Sequence, residues 1–219
     1  MKIECTSRHP AILDDDRSIQ SSLKDLIEAE GMSALCFSSA EQFLTSAARH
    51  KVGCLIADIQ MPGMSGIELQ ARLAHERYSI PIIFLTGRGD IPSTVSAMKC
   101  GAIDFFTKPV DGETLLNSVK RALQQDSLNR QKAIEHANLL SRYESLTPRE
   151  REVLHLLASG LLNKQAAFEL GITEHTVQFH RGHIMRKMKA DSFAALVRLT
   201  DKVRLYVANY QEMEFATSS

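Results

Sequence analysis

In the first half of this 219-residue chain, groups that could do chemistry stand at the ends of short apolar runs. Asp58 follows the run 52–57 and precedes the turn residues Met61, Pro62 and Gly63; Asp14 and Asp15 follow the run 10–13; Thr86 follows Ile82-Ile83-Phe84-Leu85; Lys108 and Pro109 close a fourth run. Runs of this length bounded by turn signals suit strands buried on both faces. In an open parallel sheet the carboxyl ends of the strands share one edge, so these groups would converge. Three carboxylates brought to about 4 Å repel by about 4 kcal/mol per pair at an effective dielectric of ~20, and they need a divalent cation or raised pKa values. Hard oxygen ligands with open positions suit Mg²⁺, which keeps waters and shares its sphere with phosphate oxygens. Beside such an ion a carboxylate can attack a phosphoryl group, with Lys108 neutralising the equatorial oxygens and the Thr86 hydroxyl bonding the new phosphate. Taken singly each group has an ordinary explanation, as a cap, a turn or a loop. Their joint occurrence at successive strand ends carries the inference.

The elements that must position them alternate. Strands are expected over 10–13, 34–37, 52–57, 81–85 and 102–106, and helices over 18–30, 39–49, 66–74, 92–99 and 112–125, with Gly31 stopping the first helix. Five strands alternating with five helices imply an α/β doubly wound parallel sheet with right-handed crossovers. Pro10 has no N–H to give a ladder, which limits it to the start of its strand or to an unpaired position.

Apolar residues make up 44% of the chain, an ordinary share for a folded protein of one large or two small domains. Formal net charge is zero, but residues 1–127 hold 13 basic and 16 acidic side chains and residues 128–219 hold 13 basic and 10 acidic. An acidic half joined to a basic one fits a metal or phosphate site beside a nucleic-acid surface. Cys5, Cys36, Cys54 and Cys100 form no CxxC pair, so reduced thiols are expected and neither a zinc knuckle nor a disulfide framework. The opening MKIECTSRHP lacks the apolar core of a signal peptide, and no apolar run approaches the roughly 18 residues of a membrane span. A cytoplasmic protein without a membrane partner is expected.

The first half resembles the receiver domain of two-component response regulators, in particular the FixJ-like subgroup. The likeness covers about residues 8–125 and is carried by DDD at 14–16, by D-x-x-MPGMSGIELQ from Asp58, by PIIFLTGRGDIP from Pro81 and by AMKCGAIDFFTKP from Ala97. It implies a flavodoxin-like fold with Asp58 as phosphoacceptor, Asp15 as a direct Mg²⁺ ligand, Asp14 as a ligand through water and the Gln60 carbonyl as a further ligand. It also implies Thr86 and Phe105 as a switch pair, Lys108 as the phosphate partner and a cis Lys108-Pro109 bond. Arg88 stands where the subgroup usually has His, and the segment before Ala11 is not the usual apolar opening.

Leu115, Leu116, Val119 and Leu123 form an apolar stripe, and a heptad seam drawn through it is broken at Asp126 and Arg130, so a helical, partly solvated linker is expected rather than a coiled coil. Thr147-Pro148-Arg149-Glu150 starts the next helix, with Thr147 as N-cap, Pro148 in the first turn and Glu150 completing a capping box. A short helix over 164–170, a turn at 171–173 and a longer basic helix over 174–189 make a helix-turn-helix arrangement in a small all-α domain closed by a helix over 193–206. LTPREREVL, SGLLNKQAAFELGI, TVQFHRGHIMRKM and ALVRL resemble the LuxR-type DNA-binding domain over about 144–206. Phe168 stands at a position that is usually small or polar, so the short helix is expected to adjust its packing. The expected divisions are a receiver at 1–125, a linker at 126–143, a DNA-binding domain at 144–210 and a flexible tail at 211–219.

In the longer helix Val177, Ile184 and Met188 share one stripe and should face the core, leaving Gln178, Phe179, Arg181, Gly182 and Arg186 outward. Gln pairs with adenine, Arg with guanine or phosphate, and Phe packs on a thymine methyl. The resemblance makes Gln178, Phe179 and Gly182 base-facing. Lys164, Thr176, Arg181, Arg186 and Lys187 complete the DNA-contact candidates, mostly toward phosphates. His175, His180 and His183 lack the i, i+4 spacing of a helical zinc pair. The expected protein is therefore not an enzyme but a phosphorylation-switched transcription regulator. Its expected partners are a sensor histidine kinase, promoter DNA, a second copy of itself when phosphorylated, and RNA polymerase. One alternative is a regulator controlled by a protein partner without phosphate. Another is an aspartyl-phosphate hydrolase, which Gln60 disfavours by occupying the position where haloacid-dehalogenase-like phosphatases carry a second acid.

Overall fold

Five strands, all parallel, form one sheet in the order β2-β1-β3-β4-β5: β1 (His9–Leu13), β2 (Leu35–Phe37), β3 (Val52–Asp58), β4 (Ile82–Thr86) and β5 (Asp104–Thr107). The computed structural model describes residues 8–87 and 101–217, with side chains to Leu205. The chain divides into two compact units, Met1–Arg130 and Gln131–Ser219. The helix expected at 92–99 and Arg88 lie outside the described residues.

Alternation within each strand assigns its side chains to two cores. Leu55, Ala57, Ile82 and Phe84 pack with Phe43 of α2 (Ala40–Thr45) and with Leu69 and Leu73 of α3 (Gly66–His75) on one face. Cys54, Ile56, Ile83 and Leu85 pack with Leu23 and Ile27 of α1 (Arg17–Ala29) and with Leu115, Val119 and Ala122 of α4 (Gly112–Glu144) on the other. Every residue of β3 is buried, the property that makes its sequence read as a continuous apolar run. Pro10 sits at a register shift between His9 and Pro10, and pairing of β1 with β2 begins only at Ala11, so the missing N–H falls at an irregular strand start.

Two elements differ from the sequence expectation for local reasons. α2 ends at Thr45 because Ser46 adopts an extended conformation and its Oγ accepts a bond from the Ala48 N–H; a short 3-10 turn (Arg49–Lys51) follows. The expected receiver helix and helical linker form one element, the 33-residue α4. Asp126 and Arg130, which break the heptad seam, serve a different purpose. The Asp126 carboxylate is 1% exposed and takes Arg8 Nη1 at 3.4 Å and Arg130 Nε at 2.8 Å, and Gly53 of β3 leaves the room it occupies.

The second unit holds α5 (Pro148–Ala158), α6 (Asn163–Leu170), α7 (Glu174–Met188) and α8 (Phe193–Thr217) around a core that includes Val153, Leu157, Ala166, Val177, Ile184, Met188 and Leu196. The capping box at Thr147 and Glu150 forms as expected. Gly171 ends α6 in the left-handed region at φ 63°, which favours glycine. Residues 211–217, expected as a tail, continue α8, because no glycine or proline interrupts them. Phe168 is 86% exposed, so it leaves the packing of α6 undisturbed rather than altering it.

Glu150 does more than cap α5. It is 4% exposed and accepts Lys187 Nζ at 2.6 Å. Burial opposes its charge, but the Lys187 ammonium and the Thr147 N–H and hydroxyl outweigh that and hold its pKa below the usual value. A carboxylate depressed in this way stabilises the fold above its unfolded pKa of about 4.3 and loses that contribution as pH falls through the folded value. Glu150→Gln is expected to lower the stability of the second unit by about 1–2 kcal/mol at neutral pH, since Lys187 is itself a third exposed. Thermal unfolding of both proteins from pH 7 down to pH 3 checks this, and the gap between them should close below about pH 4.

Candidate functional site

Register places the acids side by side. Leu13 of β1 pairs with Ala57 of β3, so Asp14 and Asp58 follow at the same level on adjacent strands. On the other flank Asp58 pairs with Leu85, which sets Thr86 one step beyond it, and Thr86 pairs with Thr107 of β5, just before Lys108. Asp14, Asp15 and Asp58 each offer a carboxylate oxygen within 4.8 Å of the others. Among the described residues this is the sole such grouping of three or more His, Cys, Asp or Glu. Asp14 and Asp58 are buried and Asp15 is exposed, so the cluster opens to solvent on one side. Its all-carboxylate donor set fits a hard divalent cation such as Mg²⁺.

Lys108 Nζ donates to Asp14 Oδ2 and to Asp58 Oδ2, both at 2.6 Å. Burial disfavours the ammonium, yet the bonds and charges of the two carboxylates prevail and raise its pKa. The second oxygen of each carboxylate is held by backbone: Asp58 Oδ1 accepts from the Gln60 N–H at 2.9 Å and Asp14 Oδ1 from the Asp16 N–H at 2.9 Å. The Lys108 N–H donates to the Thr86 carbonyl at 2.7 Å, and the Lys108-Pro109 bond is cis, as expected. Thr86 is buried. Phe105 pairs with Phe84 and is half-buried against the α2–α3 core.

Two further residues shape the site and carry no signal at short sequence spacing. The Gln20 amide of α1 donates to the Asp14 carbonyl at 2.5 Å and to the Phe37 carbonyl at 3.1 Å, tying the ends of β1 and β2 together. The Glu41 carboxylate of α2 accepts from the Met64 N–H at 3.2 Å and braces the loop after Asp58; this bond, after that with its own backbone N–H and that with Ser39, lowers its pKa. Cys54 and Cys36 are free thiols whose pKa values burial pushes up. Cys54, fully buried, is of the unreactive kind.

In the second unit Val177, Ile184 and Met188 are fully buried, as their stripe implies. Gln178, Phe179, Gly182, Arg186 and Lys164 are exposed. Thr176 Oγ1 bonds Thr173 Oγ1 at 2.8 Å beside the N-cap of α7, and the Arg181 guanidinium lies 4.4 Å over the Phe193 ring. Lys187 stands apart from this set, since its ammonium is taken by Glu150 and by the Ser145 carbonyl at 3.1 Å.

Residues 11–120 match the family model of the response regulator receiver domain, and residues 144–200 match that of the bacterial regulatory proteins of the luxR family. The chain is a response regulator. It is 47% identical over 193 residues to the response regulator protein TodT of Pseudomonas putida, covering 88% of this chain and 85% of TodT. It is 37% identical over 194 residues to the transcriptional regulatory protein FixJ of Bradyrhizobium diazoefficiens, covering 89% and 95%. Among solved structures, the response regulator StyR matches with a TM-score of 0.81 at 44% identity over 89% of this chain and 99% of StyR. Full-length FixJ from B. japonicum matches at 0.55 and 36%, over 91% and 98%.

A response regulator with a LuxR-type domain is a phosphorylation-dependent, DNA-binding transcription regulator, not an enzyme. The receiver implies a histidine kinase partner and the LuxR-type domain implies DNA. No helix among the described residues is long and apolar enough to cross a membrane.

In this response regulator Gly66 sets how closely α3 approaches the end of β3. A Cβ there would lie 2.4 Å from the Asp58 carbonyl oxygen and 3.1 Å from Phe84 Cε1. Backbone cannot yield as a side-chain tip can, so Gly66→Ala is expected to cost about 1–3 kcal/mol and to slow acyl-phosphate labelling of the receiver. Denaturant unfolding with a parallel acyl-phosphate labelling time course measures both; unchanged stability and labelling would contradict the close approach.

Proposed function

We propose that Asp58 accepts the phosphoryl group, that Asp15 directly, Asp14 through water and the Gln60 carbonyl hold Mg²⁺ beside it, and that Thr86, Phe105 and Lys108 read the result. The observation that carries this reading is the convergence of three carboxylates, two of which share one ammonium, with Lys108 Nζ 2.6 Å from both Asp14 and Asp58. An Asp58 oxygen forms the new bond to phosphorus while the bond from phosphorus to the kinase imidazole nitrogen, or to an acyl oxygen, breaks with its electron pair going to the leaving group. Bound Mg²⁺ would neutralise the charge on the phosphoryl oxygens. Lys108 supplies a second positive charge at the same place, and the Gln60 N–H keeps the Asp58 carboxylate aimed. The Thr86 hydroxyl then bonds the phosphate and Phe105 turns inward.

The phosphorylated receiver, residues 1–125, acts as a homodimer through the surface that includes strand β5. The dimer brings two DNA-binding domains, residues 144–210, to a promoter in the cytoplasm, where RNA polymerase is a further partner. The linker between them is 126–143. On DNA, Gln178, Phe179 and Gly182 face bases, and Lys164, Thr176, Arg181 and Arg186 face phosphates. Lys187, engaged with Glu150, stays with the domain's own framework.

Asp58→Asn is expected to abolish labelling by a small acyl phosphate and the dimerisation that follows, read by radiolabel and by sedimentation; labelling that persists in the variant sinks the assignment. On DNA, Lys164→Ala should weaken binding to all duplexes alike and lower the salt slope by about 1. Gln178→Ala should instead cost about 1–3 kcal/mol at one base pair and relax preference there. Binding isotherms at several salt concentrations, on selected and scrambled duplexes, separate the two, and equal behaviour of both variants contradicts the division of roles.

A further inference from the structure

His183 has no part in the contacts assigned above, yet it is the closest aromatic neighbour of an exposed ring on the reading helix. Phe179 lies off the buried stripe of α7 and is 58% exposed. The His183 ring packs on it with centroids 4.4 Å apart and planes tilted by 41°, and the His180 ring stands edge-on at 6.0 Å. A lone exposed phenyl ring is ordinary on a protein surface; this one is distinguished by being braced. Positions 179 and 183 are one turn apart on a helix face, with Gly182 beside them. A Cβ built at Gly182 would meet nothing within 4 Å, so the helix surface is open at that position.

We propose that His183 is a specificity-determining positioning residue, bracing the Phe179 ring beside the open Gly182 position so that α7 presents a preformed cleft for the C5 methyl of a thymine. This rests on α7 being the helix that reads DNA. In the major groove the C5 methyl is the one apolar group that an unmodified base pair displays, and an aromatic wall without donors or acceptors reads it by contact alone. Holding the ring in place before binding removes the rotamer freedom that would otherwise be lost on contact. His183 does not touch the base in this arrangement; it acts through Phe179.

The test uses the phosphorylated full-length protein and two randomised duplex pools, one made with thymidine and one with deoxyuridine, which differ only in the methyl. Selection from the thymidine pool should fix a thymine at one position of each half-site, and the deoxyuridine pool should lose that preference. On a selected duplex, replacing that thymine by deoxyuridine should weaken binding about fourfold, the ~0.8 kcal/mol of one methyl. Phe179→Ala and His183→Ala should both reduce the discrimination below about twofold, whereas His183→Phe, which keeps a planar ring, should restore it. Equal wild-type affinity for the two duplexes overturns the cleft while leaving DNA reading by α7 intact. Full discrimination in His183→Ala overturns the bracing role. Failure of the wild type to select any sequence removes the reading on which the proposal rests, and the proposal with it.

Discussion

Three carboxylates crowded at one edge of the sheet govern the first unit. Asp14, Asp15 and Asp58 present oxygens within 4.8 Å of one another, and two of the three are buried. Removing such charges from water is tolerated only where each oxygen has a partner. The partners come from different parts of the chain: the Gln60 and Asp16 N–H groups locally, and Lys108 from the end of β5. One ammonium shared between two carboxylates leaves the cluster with net negative charge, and in the proposed reading that deficit draws a divalent cation and then a phosphoryl group.

Sheet topology serves this constraint. Because β1, β3, β4 and β5 are parallel, their carboxyl ends meet at one edge, and the register carries Asp14, Asp58, Thr86 and Lys108 to adjacent positions. That much was legible in the sequence, since fully buried strands read as apolar runs and the acids stand where those runs stop. Whatever depends on remote or competing local bonds was not legible. Gln20 and Glu41 brace the site through backbone groups at positions 14, 37 and 64, and no spacing rule links them. The early end of α2 follows from one serine hydroxyl at position 46. Lys187 and Phe168 show the same limit in the second unit: composition marks one as a phosphate contact and the other as a packing problem, but it does not reveal that Lys187 pairs with Glu150 or that Phe168 is exposed.

In the proposed reading α7 reads DNA and must expose side chains that a stable helix would rather bury or pair. It manages this by strict division. Val177, Ile184 and Met188 hold it in the core with no exposed surface, and Lys187 closes an ion pair below it. The outward residues are then free to be poor for stability. Gly182 lowers helix stability by about 1 kcal/mol relative to alanine, and Phe179 leaves a ring in water.

The two units meet different demands with the same device, a charged or aromatic group held by neighbours rather than by the ligand it awaits. In the receiver, that device also defines what a phosphate could move. Carrying a switch from mostly off to mostly on takes about 5.5 kcal/mol of differential stabilisation. A phosphoryl group that replaces the single charge of the Asp58 carboxylate by up to two on the phosphate would compete with Asp14 for the Lys108 ammonium. The Lys108 backbone is joined to β4, its N–H donating to the Thr86 carbonyl at 2.7 Å. A shift that reaches this backbone would pull on the β4–β5 edge, where Phe84 pairs with Phe105. Phe105 is half-buried and so has somewhere further to go. In the proposed reading the electrostatic event at Asp58 reaches the surface through the β4–β5 edge and the Phe105 ring.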